Sequence, residues 1–516
     1  MSGSKRALIS VYYKEGSEIA AQKLQQKGWE IISTGGTANH LRNFNIEVLE
    51  VSRITDFPEI LDGRVKTLHP MIFGPILAKK SPEHLAQLKH FALSKIDLVI
   101  VNFYPFEEAL QMKEQGVDFL LENIDIGGPA LVRAAAKNFQ DTIVIVERND
   151  YLPVVDALVD DGDVSLETRK KLAAKAFSYT AFYDSLISGY FYSGALQDDA
   201  EQQENPDYLN YAGRKSMNLR YGENPHQQAS LYIRDTASPL YNFEKIRGQE
   251  ISFNNILDLS AVYEILNWFK DDGHFCVIVK HQNPCGAALA ASQKEAFQQA
   301  FAGDSKSAFG GIVGFNKVLT GEAAQEMKKI FFEVIIAPGY TPEALACFKK
   351  KTNLRIIKMA LDYWEKTDIK TVPGGFVFQE KDNKLRDFSE FTLKTSRPLN
   401  ENEIRDVKFG WKLMRFVKSN GIILVKDNML IGVGAGQASR IDAVELAVKK
   451  SCLPLAGSVL LSDAFFPFTD SIEIAAAHNI NVVVEPGGSV HDDEVIAAAG
   501  KYNISLLFTG MRHFKH

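Results

Sequence analysis

The chain has 516 residues, a length that corresponds to about three domains. Hydrophobic residues make up 46% and charged residues 24%, which excludes a chain that is disordered, collagen-like or coiled-coil throughout. The 58 Lys and Arg against 64 Asp and Glu give a net charge of -6. This argues against a nucleic-acid partner, because non-specific binding of nucleic acid needs a basic surface.

Cysteine usage and apolar runs indicate the compartment. Four cysteines are too few for a disulfide framework in a chain of this length. The first apolar stretch, 7–11, is too short and polar for a signal peptide, and no run approaches the roughly 18 apolar residues of a membrane span. We therefore expect a soluble, cytoplasmic protein that does not associate with membranes.

The N-terminal part alternates strand-like and helix-like segments. Residues 7–11 form a short apolar run that is typical of a buried strand, and 15–27 follow with helical apolar spacing closed by Gly28. Further strands are predicted at 29–33, 48–51, 97–102 and 142–146. This alternation predicts a parallel sheet with helices on its faces.

A domain boundary is predicted after the long helical pattern at 166–192. The stretch 197–206 is polar and acidic and ends in proline, which is typical of a linker. We therefore predict a first domain at 1–197, a linker at 198–213 and a larger α/β region at 214–516. No fixed-period repeat is visible, which argues against a solenoid or propeller.

Two segments of the first domain are suited to an anionic ligand. Residues 33–37 (S-T-G-G-T) lie between a strand and a helix, where amides and hydroxyls hold phosphate. In 63–70 (G-R-V-K-T-L-H-P), Arg64 and Lys66 would share one face of an extended segment, and paired cations suit an anion. Alternatively, 33–37 form an ordinary tight turn between strand and helix, and 63–70 form a basic strand edge that faces solvent.

Two further segments of the first domain carry candidate groups. Residues 102–106 (N-F-Y-P-F) lie at the edge where open α/β sheets bind ligands. Residues 124–129 (I-D-I-G-G-P) lead into a helix that carries Lys137, and amides at the start of that helix are suited to stabilise an oxyanion. Alternatively, Asp125 caps the helix and Lys137 faces solvent.

In the second region, a predicted buried strand ends in Lys280 and His281. A cation beside a titratable base suits proton transfer at a carbonyl centre, although a histidine at a strand end is often structural. With His274, Cys276 and Cys285 the pair also suggests zinc, but the spacing matches no standard site, so we expect no metal.

The run 432–440 (G-V-G-A-G-Q-A-S-R) is the best candidate for a dinucleotide turn. It fails G-x-G-x-x-G in either register, and glycines followed by Arg440 suit phosphate or carboxylate equally well. A nicotinamide oxidoreductase built on this turn remains an alternative. There is no Walker A loop, H-E-x-x-H or G-x-S-x-G, so kinases, ATPases, zincins and ordinary serine hydrolases are excluded.

In chain order, these segments resemble the family of bifunctional purine-biosynthesis enzymes that join an aminoimidazole carboxamide ribonucleotide (AICAR) transformylase to an inosinate (IMP) cyclohydrolase. The resemblance covers essentially the whole chain. Its motifs lie at 33–37, 63–70, 102–106, 124–128, 219–227, 280–281, 307–311, 336–338, 434–437, 462–468 and 509–516.

The resemblance implies an α/β fold with a methylglyoxal-synthase-like parallel-sheet domain, followed by a cytidine-deaminase-like transformylase region of two subdomains. It implies formyl transfer from 10-formyltetrahydrofolate, the co-substrate, to AICAR, and then closure of formyl-AICAR to IMP with loss of water. It also implies a homodimer whose transformylase site draws residues from both subunits.

For formyl transfer, the resemblance makes His281 the base, Lys280 the stabiliser of developing charge and Asn420 an orienting amide. The nucleotide would be held by Arg220, Tyr221, Phe309, Gly310, Glu333, Arg440 and Arg512. The folate would be held by Phe465, Pro467, Phe468 and Asp470.

For ring closure, the resemblance assigns proton transfer to Lys66, Tyr104, Asp125 and Lys137. The nucleotide and its phosphate would be bound by Lys14, Ser33, Thr34, Gly35, Gly36, Thr37, Arg64, Thr67 and Asn102. The amides of Ile126 and Gly127 would stabilise the oxyanion.

The chain departs from the family pattern at several positions. Relatives usually read Ser-Val-Ser-Asp-Lys where this chain has Tyr12 and Tyr13 before Lys14, and Phe73 and Pro75 replace common His and Gly. Residues 304–306 (D-S-K) replace Asp-Pro-Val. These departures motivate an alternative in which the N-terminal domain is only a regulatory module that binds a phosphate ligand, and the chain has transformylase activity alone.

Overall fold

A computed structural model describes residues 4–192 and 205–516. The chain divides into two compact units, Met1–Arg214 and Lys215–His516. The predicted linker lies partly outside the described residues, because 198–204 are not among them, while 205–213 belong to the first unit.

The first unit contains a five-stranded sheet in the order β3-β2-β1-β4-β5, in which every pairing is parallel. Its strands are β1 (Arg6–Ser10), β2 (Glu30–Ser33), β3 (Leu49–Glu50), β4 (Leu98–Val101) and β5 (Ile143–Ile145). Its helices are α1 (Ser17–Gln26), α2 (Gly35–Arg42), α3 (Val51–Thr55), α4 (Pro70–Leu77), α5 (Pro82–His90), α6 (Phe106–Gln111), α7 (Val117–Glu122), α8 (Gly127–Lys137), α9 (Tyr151–Asp160) and α10 (Leu166–Tyr192). Single 3₁₀ turns lie at Leu61–Gly63, Lys113–Gln115 and Arg148–Asp150. The parallel sheet predicted from the strand–helix alternation is confirmed.

Helices cover both faces of this sheet. Successive residues of a strand point to opposite faces, so Leu8 belongs to one apolar cluster while Ala7 and Ile9 belong to the other. β4 is buried at all four positions because helices cover both faces of the sheet. The carboxyl ends of β1, β2 and β4 meet at one edge, and the segments that follow them meet there too.

The second unit contains a twelve-stranded sheet in the order β16-β21-β20-β19-β17-β18-β10-β9-β11-β12-β13-β8. The boundary between the units falls within β6 (Arg214–Asn218), which pairs with β7 (Ser230–Ile233). Its further strands are β8 (Glu244–Arg247), β9 (His274–Lys280), β10 (Asn283–Ala290), β11 (Ile312–Phe315), β12 (Val334–Ala337), β13 (Arg355–Lys358), β14 (Thr367–Val372), β15 (Gly375–Glu380), β16 (Thr392–Leu393), β17 (Ile422–Lys426), β18 (Met429–Gly434), β19 (Val459–Ser462), β20 (Val482–Glu485) and β21 (Ser505–Phe508). Its helices are α11 (Pro239–Asn242), α12 (Phe253–Trp268), α13 (Gln293–Gly303), α14 (Ser305–Ala308), α15 (Gly321–Met327), α16 (Pro342–Cys347), α17 (Glu401–Met414), α18 (Arg440–Lys450), α19 (Asp470–Ala477) and α20 (Asp492–Lys501), with a 3₁₀ turn at Phe388–Glu390. β14 and β15 form a separate hairpin.

The large sheet consists of two halves with one pairing pattern. In each half a hairpin is followed by three strands: β9 pairs antiparallel with β10 and β11, β11 to β13 are parallel, and β8 closes the edge antiparallel. The second half repeats this with β17, β18, β19 to β21 and β16. The halves join where β10 pairs with β18. The sequence shows no fixed-period repeat, although the two halves share this topology.

The apolar clusters of the second unit reflect the two halves of the sheet. One shared apolar cluster lies under α12 and α17 and includes Val277 and Val279 of one half with Ile423 and Val425 of the other. On the opposite face each half has its own cluster, beneath α13 and α18 respectively. Within the described residues, no helix combines the length and apolarity needed to cross a bilayer.

Candidate active sites

The first site is a cavity of ≈ 550 Å³ at the carboxyl edge of the parallel sheet. Five separate segments of the chain contribute to its walls. The predicted residues that line it are Lys14, Thr34, Gly36, Thr37, Arg64, Lys66, Thr67, Asn102, Tyr104, Asp125, Ile126 and Gly127.

One end of the cavity is cationic. The Lys14 side chain lies over the start of α2, where a Cβ on Gly36 would be 3.9 Å from its Nζ. Gly35 has φ 45°, a left-handed conformation that glycine adopts without strain. An ammonium group beside the free amides of a helix N-terminus favours an anion.

Two hydroxyls of the S-T-G-G-T motif support the backbone. The buried Ser33 hydroxyl donates to the carbonyl of Ile9 at 2.6 Å, so it does not face the cavity as predicted. The Thr37 hydroxyl, 3.0 Å from both the amide and the carbonyl oxygen of Val11, bonds with both. The motif therefore offers a ligand chiefly its amides.

The other end of the cavity holds a carboxyl, an ammonium and a phenol. Asp125 Oδ1 accepts from the Gly128 amide at 2.8 Å. Burial raises the pKa of Asp125, while backbone amides and the Lys66 ammonium act in the opposite direction. Lys66 Nζ donates to Tyr104 Oη at 3.4 Å. These three groups can exchange protons with a ligand bound between them.

Asn102 was predicted to bind substrate directly, but its side chain is largely used inside the protein. Its Oδ1 accepts from the amides of Tyr12 at 2.6 Å and Tyr13 at 3.1 Å, and its Nδ2 donates to Tyr151 Oη at 2.9 Å. The side chain thereby fixes the loop before Lys14.

Lys137 is a correction to the predicted site. It is the last residue of α8, whose first residue is Gly127, and it is exposed outside the cavity lining. Eleven residues of helix separate the two ends by roughly 15 Å. The structure therefore does not bring Lys137 to Lys66, Tyr104 and Asp125.

Of the four first-domain departures from the family pattern, only Tyr12 reaches the cavity. Its ring meets that of Tyr104 edge-on at 5.9 Å, whereas the Tyr13 hydroxyl donates to Glu108 outside the cavity lining. Phe73 and Pro75 lie in α4, where Phe73 packs against the core and Pro75 is buried.

The second candidate site begins at the turn between β9 and β10. His281 and Gln282 form this two-residue turn, with φ 52° and 65°. Such values are uncommon for non-glycine residues and cluster at functional sites. Lys280, which directly precedes this turn, donates from Nζ to the carbonyl of Phe309 at 2.7 Å.

Two residues that sequence reasoning missed hold this turn. The Asp258 carboxylate accepts from the amides of His281 and Gln282 at 3.3 and 2.7 Å. Asn283 Oδ1 accepts from the Lys418 amide at 3.0 Å, which ties the turn to the segment before Asn420. The residues around Asp258 in the sequence do not reveal its role, because the turn that it holds is distant in the chain.

The predicted nucleotide residues form a cluster beside this turn. Glu333 Oε2 accepts from Asn255 at 2.6 Å, and it acts electrostatically on Asp258 and on Arg355. Arg220 and Tyr221 also interact electrostatically with Arg355, so these side chains lie close to one another. Gly310, beside the exposed ring of Phe309, has φ 73° and donates its amide to the carbonyl of Phe331.

Arg440 is the second correction. Its buried guanidinium forms an ion pair with Asp463 and donates to Gly421 O at 3.0 Å and to Asn420 Oδ1 at 2.8 Å. We predicted that Arg440 binds the phosphate of the nucleotide, but three of its five N–H donors bind the protein. Its observed role is to orient Asn420.

Arg512 is exposed and neighbours His513, whose amide donates to the carbonyl of Asp463.

The predicted folate loop alternates buried and exposed rings. Phe466 is 0% exposed, whereas Phe465 and Phe468 are 39% and 58% exposed. Asp470 begins α19 beside them, and Pro467 is half-buried. An anchored loop that presents two exposed aromatic rings, of which Phe468 lies beside the His491 ring at 5.6 Å, is suited to a flat heteroaromatic ligand.

Glu485 also supports this loop and was missed by sequence reasoning. Its Oε2 accepts from the Phe466 amide at 2.5 Å. Burial raises the pKa of Glu485 to about 8, so the carboxyl is mostly protonated at neutral pH. It therefore holds the loop without placing a fixed negative charge in the core.

The two rival interpretations of the second region find no support in the geometry. Gly432 and Gly434 lie inside β18, where a Cβ would meet the carbonyl oxygens of Ala447 and Ala443 at 2.5 and 1.9 Å. These glycines let α18 pack closely on the strand and do not form a dinucleotide turn. Across 4–192 and 205–516, no group of three or more His, Cys, Asp or Glu could hold a metal ion.

Comparisons with known proteins agree with this architecture. The family model described as AICARFT/IMPCHase bienzyme matches residues 135–450, more than half of the chain, and the MGS-like domain model matches 18–130. The second match falls on the parallel-sheet unit, so the predicted fold class is confirmed.

Curated relatives match over the full length. The bifunctional purine biosynthesis protein PurH of Caldicellulosiruptor saccharolyticus is 46% identical over 522 residues, covering 99% of this chain and 100% of that protein. Those of Thermoanaerobacter sp. and Persephonella marina are each 44% identical, with the same coverage. The chain therefore belongs to the AICARFT/IMPCHase bienzyme family of bifunctional purine biosynthesis enzymes.

Proposed function

We propose that the second unit transfers a formyl group from 10-formyltetrahydrofolate to AICAR, and that the first unit closes the product to IMP. The observation that carries the first assignment is His281, held in a left-handed turn that directly follows Lys280. The cavity that joins Lys14 to Asp125 carries the second assignment, because it offers an anion site at one end and proton-transfer groups at the other.

In formyl transfer, the AICAR amine attacks the formyl carbon and forms a C–N bond. His281 takes the proton that the amine loses, and Lys280 stabilises the charge that develops on the formyl oxygen. The bond from the formyl carbon to the folate nitrogen then breaks, and the nitrogen leaves with the proton that His281 had taken. Asn420 Oδ1 accepts from Arg440 and its Nδ2 donates to the carbonyls of Gln437 and Ala438, so Asn420 orients the segment beside the reacting groups.

The remaining predicted residues bind the two substrates. Arg220, Tyr221 and Arg512 bind the phosphate and ribose of the nucleotide. The exposed rings of Phe465 and Phe468 flank the pterin, and Pro467 and Asp470 complete its subsite. Phe309, Gly310 and Glu333 bind the AICAR base.

In ring closure, the carboxamide nitrogen attacks the formyl carbon, and water then leaves. Lys14 and the amides of residues 34–37 bind the phosphate, with Arg64 and Thr67 beside it. Lys66, Tyr104 and Asp125 transfer protons, while the amides of Ile126 and Gly127 stabilise the oxyanion. Closure completes the aromatic purine ring, which makes this step effectively irreversible, so it draws the reversible formyl transfer forward.

Gly128→Ala is expected to slow ring closure about 10- to 100-fold, because misplacing a reacting group by even 1 Å has effects of this order. A Cβ at Gly128 would lie 2.4 Å from Asp125 Oδ2 and 2.9 Å from the Phe103 ring, so the carboxyl must move. The rate is measured on supplied formyl-AICAR. Gly74→Ala is the matched control, since its Cβ would meet nothing within 4 Å. Equal rates in the two variants would contradict the role of Asp125.

The direct test mixes the purified protein with AICAR and 10-formyltetrahydrofolate and identifies the nucleotide product against an enzyme-free control. IMP formed faster than in the control supports both sites. Accumulated formyl-AICAR would support the alternative, in which Tyr12 narrows the first cavity and that unit only binds a phosphate ligand. Unchanged substrates with folded protein would overturn the proposal.

The proposed setting is a cytoplasmic homodimer that acts on small molecules, as in the family that the chain belongs to. The charge of -6 and the absence of a membrane-crossing helix in the described residues agree with this setting. Sedimentation of the full chain tests the dimer, and a monomer that retains full formyl transfer would overturn it.

A further inference from the structure

The turn that carries His281 is energetically unfavourable without support. Two-residue turns with positive φ at both positions prefer Asn-Gly, because glycine adopts left-handed backbone without strain. This turn has His281 and Gln282, at φ 52° and 65°. Neither residue supplies that freedom, so contacts from outside the turn must hold it.

Asp258 supplies those contacts. Its two oxygens accept separately, Oδ2 from His281 N at 3.3 Å and Oδ1 from Gln282 N at 2.7 Å. Asp258 lies on α12, whose neighbouring residues Leu259 and Val262 are fully buried in the shared core. The carboxylate is therefore anchored on a rigid helix, and it grips both amides of the turn.

The second half of the sheet contains the same arrangement. Asp406 is the sixth residue of α17, as Asp258 is of α12, and it accepts from the amides of Asp427 and Asn428 at 3.0 and 2.6 Å. These turn residues have φ 53° and 54°. The strand-end lysine is also repeated, because Lys426 Nζ donates to Ala456 O at 2.7 Å, as Lys280 Nζ does to Phe309 O.

The two halves differ in what the turn carries. In the first half the turn presents His281, the proposed base, and in the second half the corresponding residue is Asp427. Both turns are held by an aspartate, but only the turn in the first half carries the proposed base. This pair separates the effect of the aspartate on folding from its effect on catalysis.

We propose that Asp258 is a positioning residue for formyl transfer, which holds His281 in its reactive orientation by accepting both amides of the turn. The inference rests on His281 being the base. It goes beyond that assignment, since Asp258 acts only through His281 and binds neither substrate.

The test compares Asp258→Asn with Asp406→Asn in the full chain. An Asn side chain has one acceptor oxygen, so each variant loses one bond to its turn. We expect Asp258→Asn to lower kcat for formyl transfer about 10- to 100-fold, with KM for AICAR and for the folate changed less than about twofold. Asp406→Asn should lower the melting temperature by about as much as Asp258→Asn does, but it should leave kcat for formyl transfer within about twofold of the unmodified chain.

A second variant distinguishes positioning from damage to α12. Adding Gln282→Gly to Asp258→Asn gives the turn a residue that adopts positive φ freely, so kcat should recover by about threefold or more. A fold defect in α12 would not respond to this change. Unchanged kcat in Asp258→Asn, or no recovery in the double variant, would overturn the inference.

The outcome also separates this inference from the proposed function. If His281→Ala retains formyl transfer, the assignment of the base is wrong. If His281→Ala loses formyl transfer while Asp258→Asn keeps it, only the role of Asp258 is wrong. Ring closure of supplied formyl-AICAR reports folding of the first unit in every variant.

Discussion

His281→Ala is expected to reduce formyl transfer about 10²- to 10⁴-fold, the range by which a positioned general base accelerates a reaction. The AICAR amine is a poor nucleophile because its lone pair is conjugated with the ring, so it needs a base to remove its proton. Ring closure of supplied formyl-AICAR should be unchanged, because it takes place in the other unit. The two rates are measured separately on the same preparation.

Gln282→Ala is the matched control for His281→Ala. Both residues have positive φ in the same turn, and both donate their amides to Asp258, so alanine imposes the same backbone strain at either position. Only the imidazole is proposed to move a proton. Comparable losses in the two variants would assign the effect to the turn and contradict the role of His281.

Asp125→Asn is expected to reduce ring closure about 10²-fold or more while formyl transfer continues, so that formyl-AICAR accumulates. The amide oxygen still accepts from the Gly128 amide, so the start of α8 keeps its geometry, but the group no longer transfers protons. Product identification by chromatography measures both effects. Glu122→Gln is the control, since it alters another carboxyl of the same cavity, one that pairs with Arg64.

The pH dependence of ring closure gives a second measure of Asp125. Burial raises the pKa of its carboxyl above the ordinary range of aspartate. If the ionised carboxylate is the base, ring closure is present above that raised pKa and is lost as the pH falls through it. The acid limb of the profile should therefore lie at a higher pH than for a solvated aspartate. A flat profile across this range would contradict the assignment.

Part of the first site could be predicted from sequence because three of its five segments follow strands. Parallel strands end at one edge, so the residues after β1, β2 and β4 had to meet there. Lys137 was misplaced because a motif gives its position in the chain but not the length of helix that separates it from Asp125. Ser33 was misplaced because a hydroxyl serves a backbone carbonyl as readily as a ligand.

The second site could be predicted less completely. Lys280 and His281 stand together in the sequence, but the turn that exposes His281 depends on Asp258, 23 residues earlier. The role of Arg440 was predicted wrongly because Asp463, which neutralises its guanidinium, is adjacent to it only in the folded chain. Glu485 gave no signal because its partner is a backbone amide.

The sequence by itself determined the alternation of strands and helices, the division into two α/β regions and the order of the motifs that mark the family. These features depend on periodicity and local residue type, which are properties of neighbours along the chain. Only the tertiary structure decided that the large sheet is duplicated, and which polar side chains bind the protein and which face a ligand. Those outcomes depend on hydrogen-bond partners brought together across the fold, and no local pattern encodes them.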